Sequence, residues 1–323
     1  MNYNKIPKTL EDQITLLKGR GLKINSDKEA SSFLKNISYY RFSAYLLTFQ
    51  RFGDTNHNYM PWASLNRVIE LYAFDRQLRL ICLDAIERIE VAVRCRISHE
   101  YSIRHGNNWY EDESLYINKT DFEKTCKKIK DELGNTKEIF IQHYRSKYTI
   151  PKNPPSCMTI EILSFGQLSR MFKTLKSNDA KKEVAKHFGV SSTILESWLE
   201  NLSYIRNICA HHSRLWNRTL TKKPMLPTRV LPYEWINHAS LKPDKIYNSL
   251  CVMAYLQDRI KEKPPFFGLL NTLFSRCPHV SLKMMGFPDN WRKDKFWNKR
   301  YTPMTHKARA IIFKSINLFI SSK

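Results

Sequence analysis

The sequence predicts an all-α fold, and three observations support this prediction. Only nine of the 323 residues are glycine, so turns that need a left-handed backbone are few. Few segments alternate apolar and polar residues with the period of two that is typical of strands. From about Trp62 to Arg104 the chain has no proline or glycine, and its apolar residues recur at helical spacing.

The individual helices follow from apolar spacing and from helix-ending residues. Thr9 is the predicted N-cap of the first helix, and Gly21 fits its C-terminal end. The segment from Trp62 to Arg104 is one long helix or two joined by a slight break, and Gly106 ends it. Helices are predicted at about 9–20, 27–36, 62–104, 120–133, 136–147, 158–175, 179–188, 192–212, 244–262, 265–275 and 304–320.

The clearest linker is the proline-rich stretch at residues 151–155. It divides the chain into an N-terminal helical half, residues 1–150, and a C-terminal helical half, residues 156–323, which ends in a basic tail. The two halves could equally form one compact body. No repeat of fixed period is evident.

The formal net charge of the chain is +23. Such a surface attracts polyanions, and nucleic acid is the first candidate because neutralised phosphates release counterions. A lysine-rich composition inherited from an AT-rich genome would give the same charge. Charge alone therefore does not distinguish a nucleic-acid-binding protein from a basic protein of another kind.

The seven cysteines include no CxxC pair, and their number is odd. This argues against a disulfide framework and against a zinc ribbon. No apolar signal region follows the N-terminus, and no apolar run approaches the length of a bilayer span. We expect a cytoplasmic protein with reduced thiols and no membrane partner.

The segment from Arg206 to Arg218 concentrates three arginines, two asparagines and two histidines, and no acid lies between Glu200 and Glu234. Arginine binds a phosphate with a planar fork of donors, and histidine exchanges protons near neutral pH. These residue types are what RNA cleavage without a metal needs. The RNA 2′-hydroxyl would attack the phosphate, a histidine would move the proton, and an arginine would stabilise the added charge. The sequence indicates no metal and no other cofactor.

Asn207 and His211 are four residues apart on a predicted helix, so they share one exposed face. Arg206 and His211 differ by about 140° around the helix axis, so they cannot both point squarely at one phosphate from a straight helix. Three arrangements would reconcile them. The arginine curls around the helix, the helix ends or bends near His211, or two copies of the chain supply one residue each.

The Arg–His spacing is by itself a weak signal, because the chain contains five such pairs. Arg94 and His99 form a second pair near the end of the long helix. Either Arg94 makes a helical salt bridge with Glu90, or the pair lies at or beside the active cleft. His212 also meets the spacing, but His211 shares its face with Asn207.

Two segments interleave aromatic and basic residues that could stack on bases and bind phosphates. In the first, Tyr40 and Arg41 could instead form a packed helix start with a solvated arginine. In the second, residues 291–301, the aromatic side chains could instead anchor the C-terminal tail. The RNA-binding candidates are Tyr40, Arg41, Arg218, Arg292, Lys293, Trp297, Lys299 and Arg300.

Arg206-Asn207-x-x-x-His211 resembles the catalytic motif of the HEPN superfamily of helical ribonucleases. The chain as a whole resembles the Abi-like family of abortive-infection proteins, the AbiD/AbiF group, over collinear blocks up to about residue 300. The blocks are Gln13-Ile14-x-Leu16-Leu17-x-x-Arg20-Gly21-Leu22, Tyr39-Tyr40-Arg41-Phe42-Ser43-x-Tyr45, Ile86-Glu87-Arg88-Ile89-Glu90-x-x-x-Arg94, Ser164-Phe165-Gly166-x-Leu168-Ser169, Cys209-Ala210-His211-His212 and Met285-Gly286-Phe287-Pro288-x-x-Trp291.

The resemblance implies a multi-helix HEPN-like bundle with N-terminal and C-terminal helical extensions. It also implies a metal-independent endoribonuclease that acts as an antiphage abortive-infection or toxin effector, under the control of a small structured RNA. A non-catalytic binder of structured RNA is the alternative. RNA and a second copy of the chain are the expected partners, and DNA is not, because it lacks the 2′-hydroxyl. The expected catalytic residues are Arg206, Asn207 and His211, with His212, Arg214, Arg94 and His99 in support.

Overall fold

The computed structural model of the chain describes residues 6–228, 235–236, 242–260, 266–298 and 300. Within these residues the regular structure is helical, and extended residues pair in three isolated bridges only. The predicted all-α fold is confirmed. The helices are α1 Leu10–Gly19, α2 Asp27–Ile37, α3 Tyr39–Leu46, α4 Leu65–His105, α5 Lys119–Asn135, α6 Ile139–Lys147, α7 Ser156–Thr159, α8 Phe165–Thr174, α9 Asp179–His187, α10 Ser192–Ala210, α11 Ile246–Arg259, α12 Phe266–Arg276 and α13 Lys295–Asn298.

Several predicted helix ends are confirmed by their capping contacts. The Thr9 side chain caps α1 by accepting a hydrogen bond from the Asp12 amide at 3.1 Å. The segment around residues 62–104 forms one continuous helix, α4, of 41 residues. Gly106 follows it with a φ of +83°, a left-handed conformation that glycine adopts without strain.

One helix prediction was wrong. The helix predicted at 158–175 is broken, because α7 ends at Thr159 and a short 3₁₀ turn leads to a new start at Ser164. Ser164 and Gln167 form a capping box there, which satisfies amides that a continuous helix would have bonded internally. The helix α3, which Ser38 caps, was not among the predicted helices, although a helix start at Tyr40 was one of the two interpretations of that segment. The predicted helix at 304–320 lies outside the described residues.

The described residues form two compact units. The first contains those up to Leu78 together with Thr272–Ser281, and the second contains those between Arg79 and Asn271 and those from Leu282 to Arg300. The predicted linker at 151–155 lies within the second unit, where the Tyr110 hydroxyl donates to the Pro154 carbonyl at 2.6 Å.

The first unit is held together by aromatic packing around one buried polar pair. The Tyr45 hydroxyl donates to Asp75 Oδ2 at 2.7 Å, and both side chains are buried. Tyr72 packs edge-on against Tyr45 and against Phe33. A buried carboxylate is costly unless it is hydrogen-bonded, so the Tyr45 hydroxyl offsets part of the cost of burying Asp75.

In the second unit α10 is the central helix and packs against α8, α9 and α11. Its residues Trp198, Leu199, Leu202 and Ile205 are fully buried. Burying a large apolar side chain contributes about 1.5–3 kcal/mol, so this face fixes the rotation of α10 about its own axis. The residues on the opposite face are thereby held at the surface.

Arg94 joins α4 to the break between α7 and α8. Its buried guanidinium donates to the carbonyls of Ile160 and Leu163 and pairs with Glu90. The Ile160 carbonyl also accepts from the Leu163 amide at 3.3 Å, and the arginine adds a donor to this carbonyl and to that of Leu163 at the end of the turn. The salt bridge predicted between Glu90 and Arg94 is therefore present, as part of a larger structural contact.

No helix among the described residues is both long and apolar enough to cross a membrane. All seven cysteines carry free thiols. Burial raises the pKa of the Cys126 thiol to about 11, so this thiol is poorly reactive at neutral pH.

We predict that Arg94→Ala lowers the free energy of unfolding by about 3 kcal/mol, because it removes a buried guanidinium and leaves the half-buried Glu90 carboxylate and the Leu163 carbonyl without this donor. Urea denaturation measures this loss. The control is Lys119→Ala, which removes an exposed ion pair with Glu123 on α5 and should cost less than about 0.5 kcal/mol. Equal effects of the two substitutions would contradict the structural role of Arg94.

Candidate functional site

The motif lies at the C-terminal end of α10, and the backbone there forms a defined helix-ending turn. The amide of His212 donates to the Cys209 carbonyl at 3.0 Å, and the amide of Ser213 donates to the Ile208 carbonyl at 3.0 Å. These are the two hydrogen bonds of a Schellman motif. Glycine usually occupies its left-handed position, but here His212 does, with a φ of +55°.

The motif side chains project away from the buried face. Arg206, Asn207, His211 and His212 are exposed, whereas Cys209 is buried in the core. Arg206 Nη1 lies 3.5 Å from Asn207 Oδ1, a long contact that brings the guanidinium to the face of Asn207. The helix ends at His211, which is one of the three predicted arrangements. The other two, in which the arginine curls around the helix or two copies of the chain supply one residue each, stay predictions.

After the motif the chain turns back along α10 as an irregular segment, residues 213–228, which we call the return segment. Its backbone is held by side chains of α10. Asn201 Nδ2 donates to the Lys222 carbonyl at 2.7 Å, and Trp198 Nε1 donates to the Met225 carbonyl at 2.8 Å. Leu215 and Trp216 are buried at its start. Asn201 bonds to residue 222, and Trp198, which comes earlier in α10, bonds to residue 225, which comes later in the return segment. The return segment therefore runs antiparallel to α10.

The return segment is rich in cations and places them beside the polar face of α10. Arg214 and Arg218 are half-buried, and Lys222 and Lys223 are exposed. Arg218 Nη1 donates to the Arg214 carbonyl at 3.3 Å, which folds the segment locally. Arg214, predicted as a supporting residue, and Arg218, predicted as an RNA-binding residue, therefore lie on the segment that follows the histidines directly.

Behind the turn lies Arg79, a buried arginine of α4. Its side chain is 4% exposed, and its Nη1 lies 3.5 Å from the Ser213 carbonyl. This carbonyl belongs to the last residue of the Schellman motif. Arg79 therefore supports the turn that carries His211 and His212 from the inside of the unit.

Tyr204 is a residue of the site that the sequence did not reveal. It precedes Asn207 by three residues and His211 by seven, so it lies on the same side of α10. Burial raises the pKa of its hydroxyl, but hydrogen bonds from Thr221 and Arg218 and the positive charge of Arg218 outweigh burial, so that the pKa is lowered overall. The spacing to Asn207 and His211 is the signal that could have identified it.

Glu200 lies one turn before Tyr204 and binds two lysines from different elements. Lys173 of α8 contacts its Oε2 at 3.0 Å, and Lys222 of the return segment contacts its Oε1 at 2.6 Å. These hydrogen bonds, first from Lys222 and then from Lys173, outweigh partial burial and lower the pKa of the carboxyl group. Glu200 is thus ionised at neutral pH and partly neutralises both cations.

Arg94 and His99, the second predicted pair, are not exposed together as Arg206 and His211 are. Arg94 is buried and bound to Glu90 and to two carbonyls, whereas His99 is exposed on the surface of α4. A guanidinium with these contacts has no donor directed at a ligand in solution. The structure therefore favours the salt-bridge interpretation of Arg94 over a place in the active cleft.

The tail segment follows the alternative interpretation for its aromatic residues. Trp297 is 1% exposed, and its Nε1 donates to the Tyr247 hydroxyl at 2.9 Å, so its ring is covered by protein. Arg300 pairs with Asp258. The structure favours anchoring rather than base stacking for these two residues. Arg292 and Lys293 are exposed, with the Arg292 guanidinium 5.0 Å from the centre of the Trp291 ring, and Lys299 lies outside the described residues.

Tyr40 and Arg41 are both exposed on α3 in the first unit, and 89% of the Tyr40 side chain is accessible. An exposed tyrosine beside an arginine fits the predicted stacking role. Over the part of the chain that the structure describes, no three histidine, cysteine, aspartate or glutamate side chains are grouped as a metal site requires.

We predict opposite effects for two substitutions of His212. His212→Gly should raise the unfolding midpoint, because glycine adopts the left-handed conformation without strain. His212→Val should lower the free energy of unfolding by about 1–2 kcal/mol, because a β-branched residue is strained at positive φ. Thermal denaturation followed by circular dichroism measures both. A destabilised glycine variant would mean that the turn does not need its left-handed residue.

Comparison with known proteins identifies the family of the chain. The model of the Abi-like protein family matches residues 32–217, which is more than half of the chain and includes α10 with the motif. No curated protein and no solved structure matches significantly. On the strength of the family match, the chain belongs to the Abi-like protein family.

Proposed function

We propose that this protein is an abortive-infection effector that binds RNA and cleaves it without a metal ion. Membership of the Abi-like family supports the role in abortive infection. The observation that carries the chemistry is the joint exposure of Arg206, Asn207 and His211 at the end of α10, next to a return segment with four cations. No acid between Glu200 and Glu234 offsets their charge.

In the proposed reaction the RNA 2′-oxygen attacks the adjacent phosphorus, and the bond from phosphorus to the 5′-oxygen breaks. His211 takes the proton from the 2′-hydroxyl or gives one to the departing 5′-oxygen. Arg206 stabilises the phosphorane, and Asn207 orients the phosphate or the histidine. The products are a 2′,3′-cyclic phosphate and a 5′-hydroxyl.

Two proton transfers need two proton carriers or one carrier that acts twice. His212 is adjacent to His211 and exposed, which makes it the second carrier within one chain. A homodimer that brings two motifs together would supply the second carrier from another copy. A small structured RNA that occupies the basic surface would control either arrangement.

A second function is RNA binding without cleavage. The extent of the basic surface favours it, since the cations Arg214, Arg218, Lys222 and Lys223 continue well beyond the motif. Cations spaced along a strand add affinity whether or not a bond is cleaved. In this case Arg206 would act as a phosphate clamp.

We predict that the purified protein, stripped of nucleic acid, cleaves RNA in EDTA and leaves 2′,3′-cyclic phosphate ends. His211→Ala should lower the rate by about 100-fold or more, which is the usual contribution of a general acid or base. Arg206→Ala should lower it as well. The control is His143→Ala, which removes an exposed histidine of α6. Labelled RNA separated on denaturing gels gives the rates, and 2′-deoxy substrates should not be cut.

Two results would count against cleavage. If wild-type protein binds RNA tightly but cuts no tested sequence, and Arg206→Ala abolishes binding, the motif is a phosphate clamp. If cleavage occurs but His211→Ala cuts as fast as His143→Ala, the proposed general acid–base role is wrong.

A further inference from the structure

Glu200, Asn207 and His211 form a line along one side of α10. At about 100° per residue, Glu200 differs from each of the other two by only about 20° around the axis. Eleven residues at 1.5 Å each place Glu200 about 16 Å from His211 along the helix. An RNA strand that passes His211 and runs along this side of α10 would therefore reach Glu200 within a few nucleotides.

Cationic side chains lie beside this line of residues along α10. Arg218 lies close enough to the Tyr204 hydroxyl, between Asn207 and Glu200, for its positive charge to lower the pKa of that hydroxyl. One helical turn before Tyr204, Lys173 of α8 binds one oxygen of Glu200, and Lys222 of the return segment binds the other. The positive charge thus continues from the motif to this lysine pair without a gap of more than two turns.

The lysine pair is arranged to bind an anion with two oxygens. In the free protein that anion is the Glu200 carboxylate, with one ammonium group on each oxygen. A phosphodiester likewise spreads one negative charge over two oxygens. More than half of each lysine side chain is exposed, so the ion pairs contribute little to stability and another anion can replace the carboxylate.

We propose that Lys173 and Lys222 form a second phosphate subsite for the RNA strand, and that Glu200 occupies this subsite until RNA displaces it. The inference rests on the proposed function, since the strand is the one presented to His211. Glu200 then acts as an internal competitor that limits the affinity for RNA.

The test compares Glu200→Gln with Glu183→Gln. Both variants gain the same charge, but the partner of Glu183 among the described residues is Lys186 of its own helix, at 3.1 Å. The full-length protein is titrated against a labelled single-stranded 2′-O-methyl RNA of mixed sequence, which cannot be cleaved. Fluorescence anisotropy gives the dissociation constant. We expect Glu200→Gln to tighten binding several-fold more than Glu183→Gln does.

The lysines provide a second, independent measurement. The double variant Lys173→Gln/Lys222→Gln should bind RNA more weakly, and the slope of log K against log salt should become shallower by about 0.7, because one phosphate contact of a single strand is lost. Lys186→Gln is the matched control. In the double-lysine background Glu200→Gln should no longer tighten binding, because the competitor has lost its site.

The outcomes separate the two proposals. If Glu200→Gln gains no more than Glu183→Gln, or gains equally in the double-lysine background, the subsite is wrong while RNA binding stands. If the double-lysine variant keeps the wild-type salt dependence, the subsite is also wrong, even where Glu200→Gln fails to fold. If folded wild-type protein binds no RNA, the proposed function itself fails.

Discussion

The buried face of α10 is the constraint on which the rest of the site depends. Trp198, Leu202 and Ile205 are fully buried, so the helix cannot rotate without exposing them. This fixes which residues remain at the surface, and it orients Asn207 and His211 outward together. The same helix holds the return segment through the Trp198 indole and the Asn201 amide. One packed helix thus positions both the motif and the cations beside it.

In the proposed function, the end of this helix would hold the scissile phosphate and transfer protons, and the surface alongside would bind further phosphates. The histidines lie at that end, on a turn held from within by Arg79, where with Arg206 they would act on the rate. The cations of the return segment lie alongside, where they would act on affinity and salt dependence. Tyr204 connects the two parts, because its hydroxyl lies close to Arg218 and the residue lies on the side of α10 that carries His211. Membership of the Abi-like family is compatible with an effector built in this way.

Features that depend on local periodicity could be predicted from the sequence. Features that depend on contacts between residues far apart in the chain could not. The shared face of Asn207 and His211 follows from helical spacing alone. The left-handed turn at His212 could not be predicted, because no glycine marks it. Arg94 binds carbonyls more than sixty residues away, which no local pattern indicates. Trp297 is an aromatic residue of the kind that stacks on bases. In the structure, however, it contacts the distant Tyr247 and is buried. The break before α8 was visible as Ser164 and Gln167, but the surrounding apolar spacing suggested a continuous helix.

The central claim is that RNA phosphates bind at the end of α10, and histidine NMR tests it most directly. The side-chain resonances of the histidines are assigned by substitution and followed during titration with an uncleavable 2′-O-methyl RNA. The account predicts that the signals of His211 and His212 shift in proportion to occupancy, while that of His143 on α6 stays in place. If the signals of His211 and His212 are unchanged at saturating RNA, the strand binds elsewhere and the account is contradicted.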